Sequence, residues 1–302
     1  MLEILMRAGC LVAIIGIGYF LRRIHVFKEE DFGVLSKIVL RLTLPAAIIT
    51  NLSGKQIDLS MLAIALIALF GNLAYVGIGY LIHLRQGKNQ QAFGMLNLSG
   101  YNIGNFTMPF VQSFWGPLGV ITASLYDVGN AFLSLGGAYS LACVVKDNKG
   151  VSIKKILKTI LSSVAFDCYI IMTILCLANI SLPPVVLSLA ETIGNANIFM
   201  GMLMLGVGFK ISGDRKQIGR ILKLLSCRYA VAALISLGCF FLLPFPLEVR
   251  QTLVIVAFAP IASAASAFTA DLGEDVGLAS ALNSISVVCS VAFVVAFLTF
   301  ML

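Results

Sequence analysis

The stretch 97-NLSGYNIGNFTMPFVQSF-114 decides the fold. It lies in a run with no charged residue from Asn89 to Tyr126, a length that belongs in a membrane. Yet it carries Asn97, Asn102 and Asn105, the helix-weakening Gly100 and Gly104, and then the helix breaker Pro109. An unbroken spanning helix would not place three amides, two glycines and a proline within about four turns.

The rest of the chain sets the context. Of its 302 residues, 59% are hydrophobic and 12% charged, whereas a soluble domain carries about a quarter charged residues. Mean hydropathy is +0.99. The chain reads as an integral membrane protein. Polar punctuation divides it into ten apolar segments: 4–21, 34–51, 60–83, 90–113, 118–143, 156–177, 184–208, 220–242, 248–269 and 276–300. These are expected to be helices, because hydrocarbon offers no partner to an open backbone. The alternation of a membrane barrel is missing. The first segment is expected to be a retained span, since Arg22–Arg23 follows its apolar run and no small-residue cleavage site comes next.

Lysine and arginine set an expected orientation. With the N-terminus outside, eighteen of the twenty-one fall on the cytoplasmic side: Arg22, Arg23, Lys28, Lys37, Arg41, Arg85, Lys88, Lys146, Lys149, Lys154, Lys155, Lys158, Lys210, Arg215, Lys216, Arg220, Lys223 and Arg228. Arg7, Lys55 and Arg250 remain outside. Both termini are thus expected outside a cell membrane, in a multi-pass topology. This distribution accounts for the net charge of +7 without a nucleic-acid partner. The acidic loop 271-DLGED-275 is the exception among the cytoplasmic loops. The seven cysteines form no C-x-x-C pair and read as small packing residues. His25 and His83 fall at cytoplasmic span ends and read as interfacial. No cofactor or metal site is expected.

The longest connection, about Val144 to Lys155, divides the chain into 1–145 and 146–302, five segments each. An odd number per half turns the second half upside down, the arithmetic of an inverted repeat. The fourth segment of each half is interrupted, at Pro109 and at Pro260 within FAPIASAASAF. Either proline alone fits an ordinary kink, but interruptions at matching positions point to a transport site. The second half of each broken helix is expected to restart near Thr107 to Pro109 and near Pro260. Helix N-termini there would present free N–H groups and partial positive charge to an anion.

Asn102 and Asn105 flank the first break and offer donors and acceptors. Asn97 fits helix packing as well as binding. Ser124, Asp127, Asn130 and Ser134 share a helix face. A carboxyl as deep as Asp127 is costly and usually functional; it is expected to carry a proton or bind a cation, or else to hydrogen-bond a neighbouring helix. Asn283, Ser286 and Ser290 share a face of the last segment, and Asn72, Tyr75 and Gly79 one of the third. Ser263 and Ser266 follow Pro260. Asp167, Glu191, Asn195 and Asn197 carry no assigned role.

These residues resemble the bacterial form of the auxin efflux carrier family. The likeness rests on N-x-G-N-x-x-x-P from Asn102 to Pro109, LTLPAAII in the second segment and YDVGN in the fifth. P-x-A-S-x-A-S-A-F in the ninth, the DLGED loop and Asn283–Ser284 complete it. The resemblance implies ten helices in two inverted five-helix repeats, similar in fold to sodium–bile acid symporters. Helices 4 and 9 would cross at Pro109 and Pro260. Segments 1, 2, 6 and 7 would form a scaffold, and the others a transport domain. It implies a homodimeric secondary transporter of small organic anions such as auxin, malonate or malate, with a proton or sodium as a candidate coupling ion. A clear sodium-ligand set is missing from the sequence.

The substrate is expected at Asn102, Asn105, Asn130, Ser263 and Asn283, with Asp127 as the coupling group. Elevator-type alternating access would move it. The alternatives are a carrier or sensor of a non-anionic metabolite such as an amino acid, and a passive channel. An enzyme is not expected, because paired intramembrane carboxylates, G-x-S-x-G and His-rich metal spacing are lacking; G-x-x-x-x-G-K-[ST] is lacking too, which disfavours ATP-driven transport.

Overall fold

A computed structural model describes residues 2–28, 30–55, 57–147, 153–209 and 217–301. The chain forms α1 (Leu2–Arg23), α2 (Asp31–Leu52), α3 (Leu59–Leu81), α4 (Lys88–Leu98), α5 (Met108–Phe114), α6 (Gly116–Asp147) and α7 (Ile153–Ile160). It continues with α8 (Val164–Leu177), α9 (Pro184–Gly208), α10 (Ile218–Leu242), α11 (Leu247–Ala257), α12 (Ala264–Asp271) and α13 (Val276–Met301). Several starts are encoded locally. The Asp58 carboxylate accepts from Ser60 N–H ahead of α3, and the Ser163 hydroxyl accepts from Phe166 N–H ahead of α8. Pro184 opens α9, where its missing N–H costs nothing.

The expected ten spans in two inverted repeats are not what forms. The chain is an all-α bundle in which six helical stretches among the described residues are long and apolar enough to cross a membrane: α2, α3, α6, α9, α10 and α13. The fourth and ninth segments, expected to be interrupted, are each two short helices. The expected sixth is divided by a turn at 161–163 into the amphipathic α7 and the 14-residue α8. Pieces of that length do not cover about 30 Å of hydrocarbon. α1 has 22 residues but bears Arg7 near one end and Arg22 with Arg23 at the other. Hydropathy counts apolar residues and is blind to where the backbone stops being a helix.

Small residues set the closest packing, as in a solvent where apolar contact alone gives no preference between helices and lipid. α1 lies on α9 with Gly18 against Leu203 O and Gly206 against Ile15 O. α3 lies on α4 with Gly79 against the Gly94 backbone. Large apolar side chains such as Phe70, Leu234 and Phe241 face outward, 64%, 69% and 71% exposed, as suits a lipid-facing belt.

The acidic loop finds its counter-charge within the protein. Lys146, near the end of α6, binds Glu274 at 2.5 Å and Leu272 O at 2.6 Å. Asp275 accepts from Leu278 N–H at the start of α13. His83, just past the end of α3, is buried, and its Nδ1–H donates to Gly79 O at 2.9 Å. Burial and the nearby Lys223 and Arg220 hold its pKa below the usual histidine value. His25 is exposed. The expected cytoplasmic cations Lys149, Lys210, Arg215 and Lys216 lie outside the described residues, as does part of the Val144–Lys155 connection.

Gly79→Ala would put a methyl group 2.5 Å from the Gly94 carbonyl carbon and 2.7 Å from Met95 N. It should destabilise the protein by about 1–3 kcal/mol. Gly77→Ala, on the same helix with nothing within 4 Å, should be neutral or slightly stabilising. Thermal unfolding of the two purified variants in detergent checks the contrast.

Candidate functional site

Two interrupted helices meet at the centre of the protein. α4 stops at Leu98, and the chain turns through Gly100, whose φ of +77° suits glycine. It runs extended through Tyr101, makes a π-turn over Ile103–Thr107 and enters α5 with Pro109 in the first turn. α11 stops at Ala257, and the chain stays unwound until α12 begins at Ala264. Pro260 therefore sits inside the second break and not at the helix restart. The breaks cross as a single antiparallel bridge between Tyr101 and Ile261, and Asn102 N–H donates to Pro260 O at 2.9 Å.

Backbone opened inside a membrane protein must find partners. At the first break Asn130 supplies them from α6. Its amide oxygen accepts from Tyr101 N–H at 3.0 Å, and its NH2 donates to Tyr101 O at 2.9 Å. The same NH2 donates to the Asp127 carboxylate at 2.8 Å, and the oxygen accepts from Asn72 at 3.1 Å. All four hydrogen-bonding positions of Asn130 are thereby filled. Asn72 in turn accepts from Gly100 N–H at 2.7 Å. At the second break α13 does the same work. The Ser286 hydroxyl accepts from Ile261 N–H at 3.1 Å, Asn283 donates to Ile261 O at 3.0 Å, and Ser290 donates to Phe258 O at 2.7 Å. Tyr229 of α10 ties Ser286 O and the Ser290 hydroxyl together.

Arg228, expected among the cytoplasmic cations, is instead buried at 1% exposure, eleven residues into α10. Its guanidinium donates to Leu98 O, to Gly100 O at 2.9 Å, to Ala259 O at 3.0 Å and to Pro260 O at 3.3 Å. It also stands over the rings of Tyr75 and Tyr101, 5.0 and 5.3 Å from their centres. Sequence reasoning missed it. The available signal was its position about two turns inside the eighth apolar segment.

Two cavities flank the crossing. The larger, about 340 Å³, receives the starts of both restarting helices, Ile103–Asn105 and Ala262–Ala264, together with Asn102, Asp127, Tyr169 and Ser134. The Asn105 amide oxygen is buried there without a hydrogen-bond partner. Gly104 brings the backbone close to Leu44, with the Asp127 carboxylate beyond it. The smaller cavity, about 240 Å³, is lined by Arg22, Ser263, Ser266, Ser280, Asn283 and Ser284 among others. Asn102 donates to the Ser263 hydroxyl at 3.0 Å, and both residues line both cavities.

Five of the expected site residues, Asn102, Asn105, Asp127, Asn130 and Ser263, thus come together around one cavity, and Asn283 borders the other. Pro109 lines neither; its ring packs at Gly201 of α9. Asn97 is a packing residue, donating to Phe93 O and Thr269. Asn197 accepts from Thr43 and donates to Gln112. Asp167 lies in the first turn of α8, where a carboxylate suits the helix dipole, and Glu191 and Asn195 are exposed.

Similarity to known proteins bears on this arrangement. An uncharacterized transporter of Methanothermobacter thermautotrophicus is 29% identical over 128 residues, 40% of this chain. The chain spans only 42% of that relative's length. The family described as membrane transport protein matches residues 4–154, half of the 302-residue chain, in agreement with the resemblance to auxin efflux carriers. The chain therefore belongs to the membrane transport protein family, and its described residues form an all-helical bundle with several helices long and apolar enough to cross a membrane.

Proposed function

We propose that this protein carries a small organic anion, a carboxylate, by alternating access of the elevator type, and that the 340 Å³ cavity holds the substrate. The observation that carries the reading is the convergence of two helix starts on one cavity that Asn102, Asn105 and Ser263 also line, where the Asn105 NH2 would donate to a carboxylate. Free N–H groups and the positive ends of helix dipoles favour an anion. Asn105, with Asn102 and Ser263, would contact the substrate. Asn130 and Asn283 act as positioning residues, because their hydrogen bonds are given to Tyr101 and Ile261.

Asp127 would carry the proton that accompanies the anion. Its carboxylate is half-buried, lines the same cavity and is held by Asn130. The same carboxylate favours a second reading, an amino acid whose ammonium group it would bind. Both cavities run from the crossing toward the end of α1 at Arg22 and the starts of α2 and α8. The Lys and Arg distribution assigns those ends to the cytoplasm, with both termini outside. On that assignment the conformation faces inward.

Counterflow in proteoliposomes tests the reading. Vesicles loaded with unlabelled mono- or dicarboxylates should accumulate labelled malonate, malate or an indole carboxylate. Asn105→Ala should lower uptake by about tenfold or more, the value of one charge-assisted hydrogen bond, without lowering thermal stability. Counterflow with amino acids alone would select the second reading, and flux without counterflow would indicate a channel.

Asp127→Asn should remove the pH dependence of carboxylate counterflow. A profile unchanged by that exchange would dismiss Asp127 as the proton carrier. Asn130→Ala should behave unlike Asn105→Ala, costing about 1–3 kcal/mol of stability because it strands the Tyr101 backbone. Thermal unfolding and hydrogen exchange at Tyr101 read that difference.

A further inference from the structure

The carbonyls that Arg228 binds have a common origin. Leu98 O ends α4, Gly100 O follows it, and Ala259 O and Pro260 O follow the end of α11. Helix C-termini leave their last carbonyls without partners and carry partial negative charge. Two such ends brought together repel each other unless a cation lies between them. Converging carbonyls from unwound helix ends are also what coordinates a monovalent metal ion in membrane transporters.

Here the cation belongs to the chain. Arginine is charged at every accessible pH, and its flat fork reaches several acceptors at once. Among the described residues no carboxylate pairs with Arg228, so its counter-charge is the four carbonyls. The faces of Tyr75 and Tyr101 add cation–π attraction, and the Tyr75 hydroxyl donates to Arg228 O, fixing the helix from which the side chain reaches.

We infer that Arg228 is a tethered cation that takes the place of a bound metal ion at the crossing of the two broken helices. The crossing then stays assembled through the working cycle without sodium or potassium at this point. This inference does not rest on the identity of the transported molecule, and its test reads stability and not flux.

The measurement is the unfolding midpoint of the purified protein in detergent, in sodium, potassium or choline chloride at equal ionic strength. The wild-type midpoint should be the same in all three. Arg228→Met removes the charge but keeps an apolar side chain, and should lower the midpoint by about 10 °C. Arg228→Lys should retain part of that loss, since one ammonium reaches fewer carbonyls. Arg228→Ala opens the cage, and low concentrations of guanidinium or sodium should raise its midpoint above the choline value.

A Met variant as stable as wild type would overturn the inference. So would a wild-type midpoint raised by sodium over choline, or an alanine variant that no small cation restores. If Arg228→Ala does not fold, the wild-type cation series and the lysine and methionine variants decide the matter alone.

Discussion

Unwinding two helices inside one membrane protein exposes backbone groups that neither lipid nor a distant bulk solvent can satisfy. The architecture around residues 98–102 and 258–263 is organised by that demand. α6 contributes Asn130, α3 contributes Asn72, α13 contributes Asn283, Ser286 and Ser290, and α10 contributes Arg228 and Tyr229. These four helices surround the crossing because each carries a polar group that the open backbone needs. The small residues between α3 and α4, and between α6 and α3, then let those groups come close enough to bond.

The crossing also separates charge. The negative ends of α4 and α11 turn toward Arg228, on the side of α10. The positive ends of the restarting helices turn toward the cavities, on the side of α2, α8 and Asp127. On one face of the joint Arg228 bonds the open carbonyls, and the other face opens on the cavities.

Much of this was legible in the sequence, though not all. The Asn–Gly–Pro grouping before Pro109 identified a broken helix, because no continuous helix tolerates that composition. The ends of α9, α10 and α13 fell within two residues of the expected boundaries. The count of spans failed although the breaks in the fourth and ninth segments were expected, because their pieces are too short to cross and the sixth segment is divided by a turn at 161–163 that its apolar flanks do not announce. Arg228 was misread for the opposite reason: its charge is plain, but its partners are carbonyls, which have no signature in sequence. Asn130 and Asn283 were expected to bind the substrate. That their hydrogen bonds are spent on Tyr101 and Ile261 emerges only when those backbones are seen beside them.

The joint between the two broken helices is made by main-chain atoms, the Tyr101–Ile261 pair and the Asn102–Pro260 bond. Side-chain replacement cannot remove a carbonyl, and only proline removes an N–H. The hydrogen bonds of the seam therefore do not depend on which side chains stand at 101 and 261, although the Tyr101 ring also packs against Arg228. A survey of side-chain variants would undervalue the seam for the same reason.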